Sequence, residues 1–149
     1  MEAKTNTMIQ RVLLFLLVAI ASTYSLAQQQ KGKTFCAYLY NNEYEVYMRI
    51  NLYEQDIIVE GHDLYGTLPG YLAKKHNSYC WLITSSEIKN ERKAELQIIN
   101  DTGSEDLTAT LTCLNDSTYL LKQGEGSSIK IPWNGKWRKL PKTLELKKR

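Results

Sequence analysis

From Tyr44 onward the sequence repeats with a period of two. Tyr44, Val46, Met48, Ile50 and Leu52 alternate with Glu45, Tyr47, Arg49, Asn51 and Tyr53. Successive side chains of an extended chain point to opposite faces, so this stretch encodes a strand with one apolar face and one polar or aromatic face. The pattern returns three times. Ala94, Leu96 and Ile98 alternate with Glu95 and Gln97; Leu107, Ala109, Leu111 and Cys113 with Thr108, Thr110 and Thr112; Ile129 and Ile131 flank Lys130. Turn formers separate these runs: Asn41-Asn42, Lys89-Asn90-Glu91, Asp101-Thr102-Gly103, Asn115-Asp116, Gly124-Glu125-Gly126 and Asn134-Gly135. Asn, Asp and Gly tolerate the positive φ that tight hairpins require.

Short connections make sequential strands antiparallel neighbours. The expected fold is therefore all-β, an antiparallel meander of roughly eight to ten strands. A small up-and-down β-barrel of lipocalin or avidin size is favoured over a β-sandwich, because closure removes the exposed edges of an open sheet. The segment 61–77 is less regular. Gly66, Pro69 and Gly70 there suggest either a strand pair with a bend, or a strand and a turn of helix at Tyr71 to Lys75.

The N-terminus has a different character. Lys4 and Arg11 precede the uncharged run Val12 to Ala21, and small residues end in Ser25-Leu26-Ala27 ahead of Gln28. That order is the signature of a cleavable secretory signal, expected over residues 1–27. The run is shorter than the roughly 20 apolar residues a membrane-spanning helix needs, so no stable membrane insertion is expected after cleavage. Residues 28–33 read as a polar leader and 34–149 as a single all-β domain. The 122 residues after the cleavage point carry 17 basic and 15 acidic side chains, a net charge of +2. So weak a charge gives little long-range attraction, and nucleic acid is not expected as a partner.

Export places Cys36, Cys80 and Cys113 where disulfides persist. Cys113 shares the apolar face of Leu107, Ala109 and Leu111 and is assigned to the core, which leaves Cys36 and Cys80 as the candidate disulfide. The cysteine spacings match no zinc pattern, and no metal or other cofactor is expected. The acidic turn Asn100 to Asp106 has oxygen ligands but not the spacing of a calcium loop, and turn formation accounts for its composition.

Candidate chemistry is sparse. His62-Asp63 and His76 are the only histidines after the leader, and hydrolysis would need one of them beside a nucleophile such as Cys80 or Ser85. No nucleophile-elbow or cysteine-protease signature surrounds these residues, so no catalytic residue is assigned. The segment 136–149 is basic, with Trp133 and Trp137 beside it. Nine tyrosines follow the leader, and Tyr47 and Tyr53 fall on the polar face of their strand. Rings with a polar tip on an exposed sheet face suit sugar or protein recognition, which makes Tyr47, Tyr53, Trp133 and Trp137 the candidate ligand-binding residues.

Four segments carry a resemblance: Ala27-Gln28 at the leader's end, Asn51 to Val59, Gly103 to Leu111, and Trp137 to Pro141. In these the chain resembles an uncharacterised group of small exported β-rich proteins of Bacteroides-type bacteria. The resemblance implies a Gram-negative envelope location, periplasmic or on the cell surface, and brings no catalytic or binding residues. The expected function is an exported, non-enzymatic binding or accessory protein, using the barrel interior or an aromatic sheet face for a small molecule, a glycan or an envelope protein. The alternatives are a secreted inhibitor of a cell-wall hydrolase, presenting a loop such as 61–77, and a small envelope hydrolase using His62 or His76.

Overall fold

Eight antiparallel strands close on themselves in the computed structural model, which describes residues 9–13 and 34–149. Residues 9–13 are helical, and are a separate unit from 34–149. The expected cleavage point and most of the leader's apolar run lie outside the described residues. Among the described residues, no helix is long and apolar enough to cross a membrane.

The strands are β1 (Cys36–Asn41), β2 (Val46–Asn51), β3 (Ile57–Ile58), β4 (Thr67–Leu68), β5 (Gly70–Lys74), β6 (Cys80–Asn90), β7 (Lys93–Asn100), β8 (Asp106–Asn115), β9 (Thr118–Gly126), β10 (Lys130–Trp133), β11 (Lys136–Lys139) and β12 (Thr143–Lys148). The barrel order is β1-β12-β9-β8-β7-β6-β5-β2, and β2 returns to β1. The fold is thus the small all-β barrel that the alternation predicts. Two hairpins, β3–β4 and β10–β11, interrupt the simple meander. The helical alternative for Tyr71 to Lys75 is wrong: residues 71–74 belong to strand β5, held between β2 and β6, and Lys75 begins the turn after it. Its alternation of partly exposed Tyr71 with buried Leu72 suits a barrel wall, and pairing on both edges satisfies its backbone.

The inward face fills the barrel. Leu39, Val46, Met48, Ile83, Leu111 and Leu146 are fully buried, and Trp81 lies among them with its indole N–H donating to the Lys130 carbonyl at 2.9 Å. An eight-stranded barrel is only wide enough for its own side chains to meet across the axis, which is what large residues at these positions do here. The β10–β11 hairpin covers one end with buried Ile129, Ile131 and Leu140. Gln123, itself buried, stitches the hairpin down. Its Oε1 accepts from Ile129 N at 2.6 Å, and its Nε2 donates to the carbonyls of Leu140 and Pro141. At the other end Phe35, Leu52 and Tyr119 are buried, and the Tyr119 hydroxyl donates to the Thr34 carbonyl at 2.7 Å.

The hairpin turn shows how directly local sequence acts. Asn134 and Gly135, both at positive φ, join Trp133 to its partner Lys136 in a two-residue turn, as Asn-Gly favours.

Candidate functional site

Residues facing outward on β1, β2, β5 and β6 form two rows running across the strands. In the first, Arg149 donates its backbone N–H to the Tyr38 carbonyl, Tyr38 pairs with Arg49, Arg49 with Tyr71, and Tyr71 with Leu82. In the second, Lys147 pairs with Tyr40, Tyr40 with Tyr47, Tyr47 with Ala73, and Ala73 with Cys80. Arginine and tyrosine therefore alternate along the first row, and tyrosines adjoin them in the second. The rings touch between rows: Tyr38 and Tyr47 stack at 5.5 Å with planes 8° apart, and Tyr71 meets Tyr47 edge-on at 5.9 Å. Burial, with a hydrogen bond to Tyr71, pushes the Tyr47 phenol up to about 12, so it stays neutral and keeps its proton to donate.

Past Tyr71 the wall turns apolar and is covered. The excursion between β2 and β5 folds back as a flap, β3–β4, whose Val59 and Leu68 lie on Ala73, Cys80 and Leu82. A cavity of about 240 Å³ opens between flap and wall, lined by Tyr47, Arg49, Val59, Glu60, Tyr71 and Cys80 among others. Two shallower hollows flank Tyr38. One of about 340 Å³ includes Arg49 and Asp56, and one of about 220 Å³ includes Tyr40, Lys75 and Arg149.

The flap also brings His62 to Cys80, with Nε2 3.5 Å from Sγ. A nucleophilic cysteine beside a histidine begins this way, but it must also ionise. Cys80 is 2% exposed, and burial followed by the nearby Asp101 carboxylate pushes its thiol up to about 11. It is therefore protonated at neutral pH, and the contact acts as a latch between flap and wall. His76 stands apart, exposed at the end of β5 with a φ of 58°. Ser85 is exposed on β6 beyond the flap.

The four residues predicted to bind ligand do not form one site. Tyr47 lies at the centre of the two rows. Tyr53 is at the barrel end near Phe35, whose backbone N–H it accepts at 3.4 Å. Trp133 and Trp137 belong to the β10–β11 hairpin. The Arg138 guanidinium sits 4.5 Å from the Tyr44 ring and 4.6 Å from the Trp133 ring, and the Lys74 ammonium lies 4.8 Å from Trp133. Trp137 packs edge-on against Tyr79 at 4.8 Å, with the Lys130 ammonium 5.8 Å from its ring. The aromatic and basic residues of this hairpin thus hold it to the barrel through cation–π contacts, and two cations already occupy the Trp133 ring.

The candidate disulfide is also corrected. Cys36 and Cys80 are both free thiols. Cys36 pairs with Asn51, whereas Cys80 shares the row of Tyr47 and Tyr40. Three strand spacings and four residues along the barrel therefore separate the two positions, about 14 Å by 13 Å, beyond the roughly 7 Å limit between Cα atoms of a bridge. Cys113 is buried, with its thiol donating to the Asn115 carbonyl at 3.1 Å. In the acidic turn, Asn100 Oδ1 accepts from the N–H groups of Ser104 and Glu105, so the turn holds its own shape.

Sequence reasoning missed Tyr38, Tyr40, Tyr71, Arg49 and Arg149 as members of one surface. Outward alternation on β2 marked Arg49 singly, but only strand register sets these residues side by side. Comparison with known proteins returns no match to a family model, a curated protein or a solved structure, so the reading rests on this geometry.

Proposed function

We propose that the protein is an exported, non-enzymatic binding protein of the bacterial envelope, and that it holds its ligand on the outer wall of β1, β2 and β5. The observation that carries this reading is the contrast between the two faces of those strands. Inward residues such as Leu39, Met48 and Leu72 are buried to within 1% and leave the interior to the protein itself. Outward, Tyr38, Tyr40, Tyr47 and Tyr71 present half-buried rings beside exposed Arg49. Rigid amphipathic rings give contact area at small entropic cost, and arginine adds directional donors. The leader supports export, and the raised Cys80 thiol speaks against a cysteine hydrolase.

The test is binding by the purified protein to a panel of neutral and acidic glycans and envelope fractions, with Tyr38→Ala and Tyr47→Ala compared with wild type. Binding that both variants lose supports the outer wall. Binding unchanged in both, or absent across the panel, overturns it.

A second reading, inhibition of a cell-wall hydrolase, is favoured by one residue. Leu64, in the short 3-10 turn Asp63–Tyr65 at the flap's tip, is 101% exposed, as an inhibitory loop offers an apolar side chain to a cleft. Inhibition of wall hydrolases by wild type but not by Leu64→Ser would support it, and no inhibition by the wild type would remove it.

A further inference from the structure

The Arg149–Tyr38–Arg49–Tyr71 row carries more than a general capacity to bind. We infer that it is a subsite for an acidic oligosaccharide laid across the strands, a proposal that rests on the outer-wall reading and names its ligand class.

Neighbouring strands lie about 4.8 Å apart, so the row spans about 14 Å from Arg149 to Tyr71, with cation and ring alternating at each step. Such an order suits a chain that presents an apolar ring face and an anionic group in turn. Tyrosine faces take the C–H surface of a sugar ring, while guanidinium groups take carboxylate, sulfate or phosphate oxygens through paired N–H donors. Uncharged sugars would use the rings and leave the guanidiniums idle.

The two guanidiniums are not neutralised by acids among the described residues, and a sugar reaches the Tyr38 ring, stacked on Tyr47, where Arg149 swings from it onto the anionic group. Among the described residues, neither Arg49 nor Arg149 forms an ion pair with a carboxylate. Arg149 instead lies 5.9 Å from the Tyr38 ring. Lys75, at the edge of the same surface, reaches Asn42 Oδ1 at 3.3 Å and lies 5.9 Å from the Tyr40 ring. Lysines, by contrast, meet acids directly: Lys74 with Glu45 at 2.8 Å, Lys130 with Glu105 at 2.9 Å and, in the second row, Lys147 with Glu145 at 2.9 Å. Two carboxylates share hollows with Arg49: Asp56, engaged by Asn51 Nδ2 at 2.9 Å, and Glu60 on the flap, which is not ion-paired to Arg49. The hollows on either side of Tyr38 give room for substituents that project from a chain crossing its ring.

A single-stranded nucleic acid would meet the same elements of ring and cation. It is disfavoured by the small net charge, since binding along a phosphate backbone depends on many cations acting together.

The experiment uses protein expressed from its full-length sequence and an array carrying uronic-acid, sulfated and phosphorylated glycans, their neutral counterparts and single-stranded DNA. Acidic glycans should be retained in preference to neutral ones. Arg49→Gln should weaken that retention by about tenfold, the worth of one charge-assisted contact. Tyr38→Ala should weaken it too, and Lys122→Gln, exposed on β9, should not. Equal binding of neutral glycans that needs Tyr38 but not Arg49 would overturn the acidic ligand and leave the outer-wall reading standing. Preference for DNA would overturn the glycan. Binding indifferent to both Arg49 and Tyr38, or no binding at all, would overturn both. Thermal melts show whether each variant is folded, and Arg49, being exposed, can be changed without touching the core.

Discussion

His62 Nε2 lies 3.5 Å from Cys80 Sγ, and this is a contact between a flap and the wall beneath it. Flap residues Val59 and Leu68 complete the cover with apolar contacts. Whether the thiol is reachable therefore reports on whether the flap is closed.

Brief treatment of the native protein with iodoacetamide should modify Cys36, the exposed cysteine, and leave Cys80 and Cys113 intact until the chain is unfolded. Mass spectrometry of the tryptic peptides reads this directly. His62→Ala should speed modification of Cys80 and leave Cys113 unchanged. Equal rates at Cys36 and Cys80 in the wild type would mean the flap does not cover the wall.

Stability should fall in alkali. Burial raises Cys80 from 9.0 to about 11 and Tyr47 and Tyr79 from 10.0 to about 12, with Asp101 adding to the effect at Cys80 and Tyr79. Folded values above unfolded ones contribute stability that is fully present below the unfolded values and lost as pH rises through the folded ones. Urea midpoints should hold to about pH 9 and then decline toward pH 12. A flat profile through pH 11 would contradict the burial of these groups.

Gln123→Leu should destabilise the barrel by roughly 1–3 kcal/mol, because it strands the buried Ile129 N–H and removes two further bonds to the hairpin. Chemical denaturation gives the value, and faster amide exchange at Ile129 than in β8 would show where the damage lies.

Gly70→Ala tests the register that aligns the tyrosines. A Cβ at Gly70 would collide with the Arg49 carbonyl on the neighbouring strand, so the variant must push β5 from β2. A loss of about 1–3 kcal/mol is expected. Wild-type stability would show that the two strands are not so closely paired.

Much of this molecule could be read from local pattern. Val46, Met48 and Ile50 point inward as their alternation requires, Cys113 is buried with Leu107, Ala109 and Leu111, and Asn134-Gly135 makes its turn. The candidate site was legible only in fragments. Tyr47 was placed on the right face, but Trp133, Trp137 and Tyr53 belong to other parts of the surface, and for Tyr71 a strand and a turn of helix both stayed open.

The sequence alone determined which side of each strand is apolar, because the direction of a side chain alternates with every residue and needs no distant partner. Tertiary structure alone decided what stands beside what. Arg149 reaches Tyr38 because the last strand closes the barrel against the first, and Cys36 and Cys80, 44 apart in sequence, stay separated because strand register, not spacing along the chain, fixes distance across a sheet.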